Sequence, residues 1–284
     1  MKGPVVKVAD SAGFCFGVER AVRYAEEMVA AGGCPLYSMG PVVHNEFVAE
    51  ELAAKGLRVI NDEREFENLP EGKVLIRAHG VGRETEERLK ALGFEIIDAT
   101  CPFVKKIHRI VEKASMEGQK ILIIGDPDHP EVKGILGWCR GPAYVLKSEE
   151  MIPGIPFSKT DPVTVVVQTT FHIKKFQKIL DILLRLEYNA TIANTICSAT
   201  GERQEEAEKL ANESEVMLVI GSETSSNSRR LYEICRKNCD HTYFIQNADD
   251  VKSEWFRDVK FVGITAGAST PRKIIEEVQN DVRV

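Results

Sequence analysis

GFCFGVERAVRYAEEM (residues 13–28), DATCPFVKKIHRIVEK (98–113) and ANTICSATGERQEEAEKL (193–210) share one pattern: Cys15, Cys101 or Cys197, then a helical stretch. The cysteines stand 86 and 96 residues apart, and the 87 residues beyond Cys197 make a third interval of 102 when joined to the first 15. The repeat therefore closes circularly, with the N-terminal segment completing the third copy. Val18, Ala21, Val22, Ala25, Met28 and Val29 recur at helical spacing after the first cysteine, and Val104, Ile107, Val111 and Ala114 after the second. The third helix, with Ala207, Leu210 and Ala211, has a weaker pattern.

Working outward, each helix is followed by a short apolar run ending in glycine: PLYSMG to Gly40, KILIIGD through Gly125, and VMLVIGS through Gly221. These read as buried parallel strands. A polar segment and a second helix follow, then an expected edge strand (LRVIND, AYVLKS, TYFIQN) and another apolar strand (KVLIRAHG, VTVVVQTT, KFVGITAG). After one more helix, a last strand returns to the next cysteine: FEIIDATC, NATIANTIC and, from the N-terminus, VVKVADSAGFC. The expected fold is α/β, three pseudo-equivalent modules with small parallel sheets around a pseudo-three-fold axis. The expected boundaries are 14–97, 98–193 and 194–284, the last completed by strand 1–13. In such sheets functional groups gather beyond the carboxyl ends of the strands, where all three cysteines fall. Each also opens a helix, whose N-terminal dipole favours a thiolate. Packing about an axis would bring the three sulfurs together at the centre.

Composition limits what such a site serves. The 284 residues are 43% hydrophobic and 28% charged, which are globular proportions. Lys and Arg number 37 against 43 Asp and Glu, a net charge of −6 that offers nucleic acid or an anionic membrane no electrostatic attraction as main partner. With no run of 18 apolar residues and no signal-peptide core, the chain is expected to be cytoplasmic. Seven cysteines in a reducing compartment point to free thiols, catalysis or metal. Cys34, Cys139, Cys235 and Cys239 read as small buried hydrophobes. The C-x-x-x-C pair Cys235 and Cys239, near His241, lacks the fourth ligand and spacing of a zinc site. Cys15, Cys101 and Cys197 are repeat-equivalent, and three soft sulfurs suit an iron–sulfur cluster or zinc. A cluster that only transfers electrons normally takes four cysteines, so three leave one iron open. Neither G-x-G-x-x-G nor a P-loop occurs, nor does a ferredoxin-type cysteine run.

The strand ends carry the remaining chemistry. His44, Asn45 and Glu46 lie in the first copy, His129, Pro130 and Glu131 in the second, and Ser225, Ser226 and Asn227 in the third, 28 or 29 residues after their cysteines when counted to His44, His129 and Ser226. The second apolar strands (KVLIRAHG, VTVVVQTT, KFVGITAG) lead into His79, into Thr169 and Thr170, and into Gly267, Ala268 and Ser269. Three histidines, several hydroxyls and an amide suit a phosphate or diphosphate. Glu131 is the expected proton donor, its pKa raised by burial or lowered by His129. Glu46 is its repeat counterpart, with a salt bridge as the bland role, while His108, His172 and His241 receive no function.

These motifs, GFCFGVERAV, GPVVHNE, RAHGV, DATCP, HPEV, QTT, NTIC, SSNS and TAGAS, run in one order across nearly the whole chain, which resembles the 4-hydroxy-3-methylbut-2-enyl diphosphate reductase family. The resemblance implies an oxygen-sensitive 4Fe–4S cluster held by Cys15, Cys101 and Cys197 with one open iron site. It further implies a diphosphate gripped by His44, His79, His129, Ser225, Ser226, Asn227 and Ser269. Glu131 would supply protons, His129 would assist at the reacting end, and Thr169, or else Thr170, would orient the allylic hydroxyl. The products would be isopentenyl and dimethylallyl diphosphate, with a ferredoxin or flavodoxin as electron donor. Two rivals stand beside this reading. A quinolinate-synthase-like dehydratase also resembles a three-module, three-cysteine protein, but its dicarboxylate-type substrates call for arginine, of which Arg77 is the obvious one here. The other is a non-catalytic iron–sulfur sensor.

Overall fold

The computed structural model describes residues 3–282, so the outermost positions of the expected third module, 1–2 and 283–284, lie outside the described residues. The first pass of the repeat runs β1 (Val5–Val8), α1 (Phe16–Ala31), β2 (Leu36–Met39), α2 (Glu46–Ala54), β3 (Leu57–Ile60), β4 (Lys73–Ile76), α3 (Arg83–Ala91) and β5 (Glu95–Asp98). The second is α4 (Pro102–Met116), β6 (Lys120–Ile124), α5 (Pro130–Leu136), β7 (Ala143–Leu146), β8 (Val163–Val167), α6 (Ile173–Arg185) and β9 (Ala190–Ile192). The third is α7 (Ser198–Glu213), β10 (Val216–Ile220), α8 (Ser226–Asn238), β11 (Thr242–Ile245), β12 (Phe261–Ala266) and α9 (Arg272–Val282).

Three four-stranded parallel sheets result, with one strand order used three times: β3-β2-β4-β5, β7-β6-β8-β9 and β11-β10-β12-β1. The expected edge strands are edges, and the N-terminal strand closes the third sheet by pairing Val5 with Phe261 and Val8 with Ile264. Three glycines end the inner strands in the same way. The N–H groups of Gly40, Gly125 and Gly221 donate to the last residues of the edge strands, Ile60, Leu146 and Ile245, at 2.8, 3.0 and 2.9 Å.

By its contacts the chain divides into two compact units: Met1–Glu19, Val43–Glu51 and Ser198–Val284 in one, Arg20–Val42 and Leu52–Cys197 in the other. The first unit holds the sheet ending in β1; its Leu218, Ile220, Val262 and Ile264 pack on Ile274, Ile275 and Val278 of α9. On the opposite face Met217 and Val219 meet Ala207 and Leu210 of α7 and Leu231 of α8. In the second unit, Leu122 and Ile124 face Phe176, Ile179 and Leu183 of α6, while Ile121 and Ile123 face Ile107 and Val111 of α4. Both faces are covered, which is why these strands read as continuous apolar runs. Each fully buried Ile, Val or Leu contributes about 1.5–3 kcal/mol.

Sequence periodicity passed over four short 3-10 helices after the edge strands: Glu63–Asn68, Glu149–Gly154, Ala248–Asp250 and Ser253–Phe256. The first is capped reciprocally by Asp62 and Glu65, a side-chain device that leaves no apolar period. Among the described residues no helix is long and apolar enough to cross a membrane.

Candidate functional site

Each repeat cysteine sits where a strand end passes into a helix: Cys15 before α1, Cys101 as the N-cap of α4, Cys197 before α7. Each is half-buried and free of disulfides. Their backbone N–H groups are pinned alike, to the stretch just past the second apolar strand of the preceding copy, β12, β4 or β8. Cys15 donates to Ala268 O (3.4 Å), Cys101 to Ala78 O (2.9 Å) and Cys197 to Thr169 O (3.2 Å). Two arginines brace the segments that lead into these cysteines. Arg20 donates to Thr100 O and Asp98 O at 3.0 and 3.1 Å, ahead of Cys101. Arg203, 5% exposed, donates to Gly13 O at 2.7 Å, ahead of Cys15, where Glu206 also accepts from the N–H groups of Asp10 and Ser11 at 2.6 and 2.9 Å. Sequence reading missed Arg203 and Glu206, and its weak third helical pattern has the same origin. Polar Thr200, Arg203 and Gln204 occupy part of the buried face of α7.

In the second unit, His129 caps α5, its Nδ1 accepting from Glu131 N at 3.2 Å, which places the neutral ring's proton on Nε2. The His79 ring stands edge-on to His129, with centroids 5.4 Å apart. Glu131, 2% exposed, turns its carboxyl to Thr169: the Thr169 N–H donates at 2.6 Å and the hydroxyl at 2.7 Å. Burial lifts the Glu131 pKa to about 7, against the two Thr169 hydrogen bonds that pull it down. Thr169 therefore joins Glu131 through its N–H and hydroxyl to Cys197 through its carbonyl. Thr170 turns elsewhere, accepting from Gln168 Nε2 at 3.1 Å.

In the first unit, Ser269 Oγ donates to His44 O at 2.9 Å, and Ser225 caps α8 by accepting from Ser228 N at 3.3 Å. Ser226 opens that helix. Asn227 is 5% exposed and its Nδ2 has no hydrogen-bond partner. Glu46 is exposed and accepts from Ser222 Oγ at 2.7 Å, so a neutral hydroxyl takes the place of the salt bridge expected there.

Among the remaining cysteines Cys34 is a correction: it is exposed, in the turn between α1 and β2. Cys235 is buried, and burial, helped by Cys239, pushes its thiol up to about 12. Burial does the same to Cys139. His172 caps α6, and His241 is exposed. His108 stacks on Trp138 (centroids 5.3 Å apart), and burial holds its pKa down at about 4. Arg77, grouped in sequence with the strand-end histidines, lines a separate cleft with residues of α3 and α5.

Repeated parallel sheets with one cysteine at a helix start in each copy, and in the second unit a buried acid linked through Thr169 to Cys197, define a class of multi-module α/β enzymes. A family model described as LytB protein matches residues 6–283, and the chain belongs to that family. A relative from Caldanaerobacter subterraneus subsp. tengcongensis is 44% identical, with 98% of this chain and 96% of that protein covered. One from Aquifex aeolicus is 41% identical, covering 97% and 95%. Both are named 4-hydroxy-3-methylbut-2-enyl diphosphate reductase. A solved structure of (E)-4-hydroxy-3-methyl-but-2-enyl diphosphate reductase, described as the terminal enzyme of the non-mevalonate pathway, shares 39% identity at a TM-score of 0.73, with 98% of both chains covered. The Plasmodium falciparum E-1-hydroxy-2-methyl-but-2-enyl-4-diphosphate reductase shares 26% at a TM-score of 0.92, covering 98% of this chain and 87% of that one.

Proposed function

We propose that this chain is an oxidoreductase that removes the allylic hydroxyl of 4-hydroxy-3-methylbut-2-enyl diphosphate. The products are isopentenyl and dimethylallyl diphosphate, the last step of the methylerythritol phosphate route. Two electrons and two protons enter; one proton leaves with the hydroxyl as water and the other ends on the allyl fragment. The observation that carries the reading is the connected run His129, Glu131, Thr169, Cys197. It ties a buried acid with a pKa of about 7 to one of three repeat-equivalent cysteines.

Cys15, Cys101 and Cys197 are the ligands we assign to a 4Fe–4S cluster. Their donor set fits: soft sulfurs, free of disulfides, each at a helix start whose dipole favours the thiolate. When bound, such a cluster supplies the electrons and a Lewis-acidic iron. The chain's own residues supply the rest. His44, His79, His129, Ser225, Ser226, Asn227 and Ser269 bind the diphosphate, with Asn227 Nδ2, unpartnered among the described residues, and the Nε2–H of His129 as donors. Glu131, with its pKa of about 7, supplies the proton that leaves with the hydroxyl as water, and Thr169, whose hydroxyl bonds the Glu131 carboxyl, orients the allylic hydroxyl. The modules 14–97, 98–193 and 194–284 with 1–13 are proposed as the repeating units, a ferredoxin or flavodoxin as the donor, and the cytoplasm as the location. The relatives favour neither a quinolinate-synthase-like dehydratase nor a sensor.

The test is purification without air, with iron, acid-labile sulfide and turnover quantified. Cys15→Ser, Cys101→Ser and Cys197→Ser are each expected to lose the iron, and Cys34→Ser and Cys139→Ser to keep it. The reverse pattern would overturn the ligand assignment.

A further inference from the structure

Within the second unit, the end of β2, residues that follow β3 and β4, the start of α3 and one side of α5 wall a cleft of about 730 Å³, a volume suited to a small organic molecule. Neither His79 nor His129 is among the residues that line it. Arg77 is. Among the described residues its guanidinium makes no ion pair, and its buried Nε has no hydrogen-bond partner. Burial draws its pKa down to about 10, which still leaves it cationic at neutral pH. Other arginines nearby are answered: Arg64 by Asp62 (2.5 Å), Arg83 by Glu87 and Glu112 (2.6 and 3.2 Å), Arg88 by Glu63 (3.6 Å).

The chain also keeps space for this cation. Gly40, at φ 72°, runs so close that a Cβ there would stand 2.4 Å from Arg77 Nη1. Lys133, exposed on α5, lines the same cleft without an ion pair, and α3 opens into it from Gly82 with no side-chain cap on its first N–H groups. Of the acids in the lining, Asp62 and Glu63 already face arginines, and Glu84 and Asp128 are exposed. A desolvated cation without a counter-charge is costly unless a ligand completes it, and a guanidinium fork matches a planar or tetrahedral oxyanion.

We propose that this cleft is a second anion site, separate from the diphosphate-binding residues, taking a small molecule through a carboxylate or phosphate group held by Arg77 and Lys133. The test titrates inorganic phosphate and, separately, citrate into the full chain purified without air, for the native protein, Arg77→Gln and Lys133→Gln. KM for the diphosphate substrate is measured in parallel. Arg77→Gln is expected to weaken probe binding about tenfold or more, the scale of a charge-assisted hydrogen bond, and Lys133→Gln about threefold, with KM unchanged. A response to phosphate alone assigns a phosphate ester, to citrate alone a carboxylate. Probe affinity unchanged in Arg77→Gln overturns the proposal, as does a KM that rises by the same factor as the probe constant, which would merge the cleft with the substrate site. If Arg77→Gln does not fold, the surface variant Lys133→Gln decides by the same two readings.

Discussion

Glu131 and Glu46 occupy matching places in two copies of one repeat, each in the first turn of the helix after an inner strand, yet their surroundings differ. Glu131 is 2% exposed, accepts two hydrogen bonds from Thr169 and has a pKa near 7. Glu46 is exposed and accepts a hydrogen bond from the Ser222 hydroxyl. The repeat decides where a carboxyl stands along the chain; desolvation decides whether it holds a proton at neutral pH. A proton donor needs the second property, so the two residues are chemically unlike despite their symmetry.

The comparison can be broken most severely at Glu131. Glu131→Gln is expected to lower turnover by about 10²–10⁴, the usual worth of general acid catalysis, while the iron content of the protein stays unchanged. Anaerobic turnover with iron analysis measures both, and retained turnover would remove Glu131 from the reaction.

Next in size is stability against pH. Because the folded Glu131 pKa lies above its unfolded value, the folded state binds the extra proton, and stability falls as pH rises from about 4.5 to about 7, by about 3 kcal/mol. His108 runs the other way. Its folded pKa of about 4 lies below the unfolded value of 6.5, so stability falls by a similar amount as pH drops from about 6.5 to about 4. The two slopes oppose each other between about pH 4.5 and 6.5, so in denaturant titrations Glu131→Gln should expose the His108 slope and His108→Gln the Glu131 slope. Identical profiles in all three proteins would contradict the burial argument.

Thr169→Val removes the hydroxyl while keeping the shape. It should cost turnover roughly tenfold and shift the alkaline limb of the pH–rate profile upward, since a hydrogen bond that lowers the Glu131 pKa is gone. A limb that stays in place would mean Glu131 does not set it. Smallest of all, Glu46→Gln should change turnover less than about twofold, because an exposed hydroxyl–carboxylate bond contributes only about 0.5–1.5 kcal/mol and stability alone reads it. A loss as large as that of Glu131→Gln would show that the repeat, not burial, assigns the role.

Much of the architecture was legible because it is periodic. Apolar runs ending in Gly40, Gly125 and Gly221 marked the inner strands, and the spacing of Cys15, Cys101 and Cys197 showed that β1 belongs with β12 at the far end of the chain. Capping carries no such period, so the helix headed by Asp62 and Glu65 escaped notice, and the polar inner face of α7 disguised a full 16-residue helix. Burial preference misjudged Cys34, which lies exposed in a turn.

Residue order alone determined the strand sequence, the circular closure and the placing of a cysteine at three helix starts, since these follow from local patterning and its repetition. Folding decided which groups lose water and which find partners: Glu131 buried against Thr169, Arg203 reaching Gly13 across 190 residues of chain, Arg77 desolvated and unanswered. Dielectric surroundings and long-range hydrogen bonds are properties of three-dimensional neighbourhoods, and a linear pattern does not encode them separately from the fold.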